Sequence, residues 1–273
     1  MTVKLPTEKT HPKTDLVDLS LLIYGPPKIG KSTLCSHADG ALFLATEPGL
    51  NSLDVFQIPI SSWEEMTEAL AMIAAGRHDF RTIVIDTVDN AYRFCEEFVC
   101  KRLKIDHPSD ADYGKGFSAV NSEFIRVLTK LGALPYGLIL TSHAKEKEVT
   151  TRTGKTTKIG PTLPDSACKI VKGFADCILF CDVEEEVGAE GRRTYRRVIR
   201  TRPTTHYEAG DRTGRLPETL PLDYHSVVEA IRGTNGKGAR TEGATDETAM
   251  PAAQPASARK REPKPGATAP AAA

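Results

Sequence analysis

The sequence predicts an α/β fold: a mainly parallel central sheet flanked by helices, with a C-terminal β-hairpin extension and a disordered tail. Three observations predict it. Short apolar runs alternate with helix-length stretches from residue 19 to residue 143, the pattern of a parallel sheet covered on both faces. Between the first apolar run and the first helix start lies Gly25-Pro26-Pro27-Lys28-Ile29-Gly30-Lys31-Ser32-Thr33, which reads G-x-x-x-x-G-K-S. After His143 the alternation stops and paired strand patterns take over.

The elements follow in order. Residues 1–18 are polar and carry Pro6 and Pro12, so a flexible N-terminal arm is expected. Residues 19–24 are short and apolar, a buried strand. The helix after the glycine-rich turn runs through about residue 37. Strands are expected at 41–46 and 55–60. Ser62 and Glu65 form a capping-box pattern for a helix reaching about residue 75. A strand at 81–86 ends in Asp86. Helices at 87–103 and 117–131 flank a polar loop, and a strand at 136–143 ends in His143. Beyond it, residues 145–158 read as a β-ribbon turning at Gly154. A helix is expected at 164–174, and a hairpin from 177–183 and 193–201 across a turn at 188–191. Asp223 caps a last helix through Ile231. Residues 234–273 are rich in Ala, Pro, Gly and Thr and cannot bury enough surface to offset their ordering entropy. The domain expected is therefore 19–233.

Lys+Arg and Asp+Glu number 36 each, so there is no global basic field, and any nucleic-acid surface is a local patch. No apolar run approaches the roughly 20 residues of a membrane span. The N-terminus lacks an apolar signal core, so a cytoplasmic protein without a membrane partner is expected. None of the six cysteines forms a C-x-x-C pair; reduced core thiols are the reading, with metal binding the alternative.

The G-x-x-x-x-G-K-S segment is a P-loop. Gly25 and Gly30 let the backbone wrap so that successive N–H groups point at phosphate oxygens. Pro26, Pro27, Lys28 and Ile29 complete the cradle. Lys31 is placed to reach the β- and γ-phosphates, and the Ser32 hydroxyl to ligate Mg²⁺, with Thr33 continuing the helix. The pattern implies ATP and Mg²⁺. A second Gly-Lys-Thr, at Gly154, has Val149 where the first glycine belongs and is discarded.

Asp86 ends an apolar strand after the P-loop, the Walker B position that holds Mg²⁺ through water; a helix N-cap is the alternative. Glu47 lies at the carboxyl end of the strand after the P-loop helix, on the ligand side of an open α/β sheet. A carboxylate there polarises the attacking water, or else marks the turn before Pro48-Gly49. His143 stands where a side chain senses the γ-phosphate and passes its state to the next segment, or is simply a satisfied strand-end histidine. Asp89 is a further carboxylate or first-turn helix charge.

The P-loop, Phe43-Leu44-Ala45-Thr46-Glu47, Ile83-Val84-Ile85-Asp86-Thr87 and Leu140-Thr141-Ser142-His143, in this order, resemble the RecA-type ATPase core. Residues 45–53, 113–117 and 210–217 narrow the resemblance to phage-encoded RecA-like ATPases, including the Sak-type single-strand annealing proteins. It covers roughly residues 19–231. The family has glutamine where this chain has His143, and no separate RecA-type C-terminal domain is evident.

The resemblance implies a RecA-like P-loop NTPase, an ATPase stimulated by single-stranded DNA, acting in recombination or annealing in a host cytoplasm. It also implies a ring or filament of identical subunits; a single-strand-binding protein is a further candidate partner, chiefly for a nucleotide-gated adaptor. DNA would face residues 105–116 and 144–162. The second segment carries Lys145, Lys147, Arg152, Lys155 and Lys158, a net basic ribbon suited to phosphates, with a solvated hairpin as the alternative. Arg200 and Arg202 alternate along one strand, and the resemblance implies that they reach a neighbouring subunit's γ-phosphate. Two other function classes remain open on the sequence: a small-molecule or nucleotide kinase, and a nucleotide-gated replisome adaptor.

Overall fold

The computed structural model describes residues 5–151, 154–187 and 191–233. The elements are β1 (Ser20–Gly25), α1 (Lys31–Ser36), β2 (Ala41–Ala45), β3 (Phe56–Pro59), α2 (Trp63–Ala74), β4 (Thr82–Asp86) and α3 (Val88–Leu103). They continue with α4 (Lys115–Gly132), β5 (Gly137–Thr151), β6 (Gly154–Pro161), α5 (Asp165–Phe174), β7 (Cys177–Val187), β8 (Arg193–Arg200), β9 (Gly210–Asp211), β10 (Thr219–Pro221) and α6 (Tyr224–Arg232). Among the described residues the strand order is β10-β8-β7-β1-β5-β4-β2-β3, with β6 paired to β5 and β9 to β7. Strands β7, β1, β5, β4, β2 and β3 are mutually parallel, and β6, β8, β9 and β10 pair antiparallel. The mainly parallel sheet flanked by helices is the architecture that the alternating pattern predicts.

Side-chain alternation divides the core in two. Leu22, Leu44, Ile85 and Leu140 face one side, where Trp63, Phe124 and Val171 of α2, α4 and α5 cover them. Ile23, Phe43, Val84 and Ile139 face the other, covered by Leu34 of α1 and Val227 and Ile231 of α6. Helix starts follow their caps. Ser62 Oγ accepts from Glu65 N–H, and Asp223 accepts from Ser226 N–H at 2.8 Å. The Glu65 carboxylate reaches Ser61 N–H rather than that of Ser62, so the capping box is shifted by one residue.

Several expectations are corrected. The N-terminal arm is not loose throughout: Leu16 is buried, and Asp15 pairs with Arg232 at 2.8 Å. Helix α4 starts at Lys115, because Tyr113 and Gly114 take left-handed conformations that turn the chain into it. The hairpin is no appendage, since β7 pairs in parallel with β1 and belongs to the main sheet. Strand β5 does not end at His143. It leaves the parallel sheet there, at the pair Gly25–His143, and continues to Thr151 as one edge of the antiparallel ribbon with β6. The short strands β9 and β10 carry no periodic signal and are absent from the expected elements. The tail at 234–273, Arg152 and most of the turn at 188–191 lie outside the described residues. Among the described residues no helix is long and apolar enough to cross a membrane.

Candidate nucleotide site

The site lies at the carboxyl ends of β1, β2 and β4 and at His143, where β5 leaves the parallel sheet. Gly25 is required by close packing. A Cβ there would lie 2.6 Å from the main-chain oxygen of Cys181 on β7 and 2.9 Å from its Cβ. Gly30 has φ +115°, and Lys28 has φ +63°. These left-handed residues curl the loop around the cavity, the kind of backbone turn that lets successive N–H groups converge on an anion.

Lys31 heads α1. Its side chain turns back over the loop, and Nζ donates to the carbonyls of Gly25 and Pro26, each at 3.0 Å. Burial lowers the ammonium below the ordinary lysine range, while the negative charges of Asp86, Glu47 and Asp89 oppose that shift. Ser32 Oγ donates to Asp86 Oδ2 at 2.7 Å. The other Asp86 oxygen accepts from Thr141 Oγ1 on β5. A hydroxyl and a carboxylate that share one hydrogen bond form an oxygen donor set that suits Mg²⁺, so the residues present fit the ion.

Glu47 and His143 meet across the cavity. His143 Nε2 is 3.3 Å from Glu47 Oε1 and 3.4 Å from Oε2. The His143 backbone N–H donates to Asp89 Oδ2 at 3.1 Å, and Ser142 Oγ donates to Asp89 Oδ1 at 2.9 Å. Burial raises the Asp89 carboxyl above the usual range, against those two donors. His143 Nδ1 is buried without a partner among the described residues. One cavity of about 390 Å³ is lined by Lys28, Lys31, Ser32, Glu47, Asp86 and His143. The sequence-selected residues around the phosphate position thus converge. Two neighbours escaped the sequence reading: Thr141, hidden in an apolar strand, and Asn90, one turn into α3.

Other candidates lie elsewhere. The ribbon lysines do not share one face. Lys147 pairs with Lys158, and Lys145 with Gly160, on one side; Lys155 stands opposite Thr150 on the other. Lys155 is held by Glu148, and Lys147 by Asp165 at 2.8 Å and the Leu163 carbonyl at 3.3 Å. The arginine expectation is also corrected. Strand β8 ends at Arg200, so Arg202 lies beyond it. Arg200 is engaged within the chain by Asp182, Glu184 and Thr219, and Arg202 by the Leu216 carbonyl at 2.9 Å. Arg197 is the β8 arginine that meets the P-loop, with Nη1 3.3 Å from the Ile29 carbonyl. All six cysteines are buried free thiols.

Comparison with known proteins bears on this arrangement. Residues 18–213 match the family described as AAA domain. No curated protein matches the chain. Among solved structures, flagellar accessory protein FlaH from Methanocaldococcus jannaschii is similar over 67% of this chain and 77% of that one, at 14% identity and TM-score 0.36. KaiC-like protein PH0186 from Pyrococcus horikoshii OT3 is similar over 67% and 78%, at 11% identity and TM-score 0.40. A prototypical ATPase from the type III secretion system of pathogenic bacteria is similar over 61% of this chain, at 17% identity and TM-score 0.41; the match spans 51% of that chain. The chain belongs to the AAA domain family and is an ATPase with an α/β fold built on a mainly parallel sheet.

Proposed function

We propose that this ATPase acts on single-stranded DNA, in recombination or strand annealing of the phage type, as a homo-oligomer. The observation that carries the reading is the continuity of β5. One strand runs from Thr141, bonded to Asp86, through His143, in contact with Glu47, into the ribbon that bears Lys145 and Lys158. A change at the γ-phosphate position is felt by His143 and carried along a paired strand to the lysines.

The roles follow from position. The P-loop backbone and Lys31 bind the phosphates of ATP. Ser32 and Asp86 hold Mg²⁺, which neutralises phosphate charge when bound. Glu47 orients the attacking water and accepts its proton. Lys145 and Lys158 bind the DNA backbone by charge, without base reading. The engaged positions of Arg200 and Arg202 give no support to a finger at either residue.

A stimulated-ATPase assay tests the reading. Turnover is expected to rise with single-stranded DNA and to be abolished by Lys31→Ala with the circular dichroism spectrum retained. A DNA-independent rate would refute the DNA role. A second reading, phosphoryl transfer to a small molecule, is supported by a cavity of about 490 Å³ that Glu47 shares with Asn51, Gln57 and Ser61. Stimulation by a nucleoside monophosphate, with a phosphorylated product, would favour it.

A further inference from the structure

Asn90 occupies the first turn of α3, four residues beyond Asp86, and is half-buried. Its Nδ2 donates to two acceptors, the Thr46 carbonyl at 3.3 Å and Glu47 Oε2 at 3.4 Å. Only the amino side of the amide suits both, since a carbonyl oxygen would be repelled by each. One group therefore ties the main chain and the side chain of consecutive residues. His143 Nε2 lies within reach of both Glu47 oxygens, 3.3 Å from Oε1 and 3.4 Å from Oε2, the oxygen that Asn90 also contacts. The carboxylate is bracketed between an amide on α3 and an imidazole on β5. The same helical turn supplies Asp89, which holds the His143 backbone. Both groups that bracket Glu47 thus depend on the turn that follows Asp86.

We infer that Asn90 is a positioning residue for Glu47: its amide N–H groups fix the carboxylate in the orientation from which it acts on water. The inference rests on Glu47 being the base. Without the amide, Glu47 keeps its charge but gains torsional freedom, and loss of alignment lowers turnover more than nucleotide affinity.

The test is a double-mutant cycle on the full chain, with ATP turnover measured in Asn90→Ala, Glu47→Gln and the double variant. Asn90→Ala is expected to lower kcat about tenfold with KM for ATP within about twofold. In the Glu47→Gln background the same change is expected to cost nothing further, because no carboxylate base is left to align, although the glutamine oxygen still accepts a hydrogen bond. Asn90→Asp, of equal size but without the donor, is expected to be as impaired as Asn90→Ala, and Asn90→Ser to recover part of the loss. An equal loss in both backgrounds, or a joint fall in kcat and affinity, would make Asn90 merely structural and overturn the inference. Full activity of Glu47→Gln would overturn the base assignment with it. An inactive Glu47→Gln beside an unimpaired Asn90→Ala would overturn this inference alone.

Discussion

Ser32 and Asp86, 54 residues apart, share a 2.7 Å hydrogen bond that joins the start of α1 to the end of β4. Mg²⁺ bound here would be held by the Ser32 hydroxyl and, through water, by Asp86, at the expense of that hydrogen bond. Removing one oxygen weakens the ion's hold. Ser32→Ala is therefore expected to raise the Mg²⁺ concentration for half-maximal ATP turnover by about ten- to a hundredfold. Asp86→Asn is expected to lose turnover more severely, since its carboxylate also anchors Thr141. Metal titration of the steady-state rate measures both, and an unchanged midpoint in Ser32→Ala would remove this hydroxyl from the metal site.

At Gly25 the expected outcome is destabilisation. An added methyl would meet the Cys181 main-chain oxygen at 2.6 Å, and overpacking of this kind costs about 1–3 kcal/mol. Denaturant unfolding of Gly25→Ala is expected to show that loss. Combining it with Cys181→Gly is expected not to restore stability, because the nearest atom belongs to the backbone.

The ribbon yields a face-specific prediction. If Lys145 and Lys158 each contact a phosphate, replacing both with Ala lowers the log–log salt slope of single-stranded DNA binding by about 0.7 per contact. Lys155→Ala is expected to leave the slope unchanged, because Lys155 lies on the opposite face beside Glu148. Titrations at several salt concentrations decide this, and equal slopes for wild type and the double variant would exclude the lysine face.

Asp89 sets a pH dependence. Burial raises its carboxyl in the folded protein above the unfolded value near 3.8, so the folded state holds this proton more tightly. Its contribution to stability is present below the unfolded pKa and is lost as pH rises through the folded one. Asp89→Asn cannot ionise. The melting temperature of this variant relative to wild type is therefore expected to increase as pH rises from about 3.8 through that window. A constant difference across the window would show that Asp89 does not titrate there.

The sequence by itself determined the sheet class and the phosphate cradle. Alternation of apolar runs with helix-length segments leaves few arrangements but a covered parallel sheet, and G-x-x-x-x-G-K-S encodes a backbone shape within nine consecutive residues. Asp86 and Glu47 were legible for the same local reason, as carboxylates at the ends of apolar strands. Tertiary structure decided what depends on residues far apart in the chain. The need for Gly25 arises from Cys181, 156 positions away, and no pattern around residue 25 contains it. Asn90 looks like any polar residue in a first helical turn until the fold brings Thr46 and Glu47 beside it. Pairing register split the lysines between two faces, and cross-strand carboxylates engaged Arg200. Propensity acts along the chain, whereas contacts between strands are set by which segments the sheet makes neighbours.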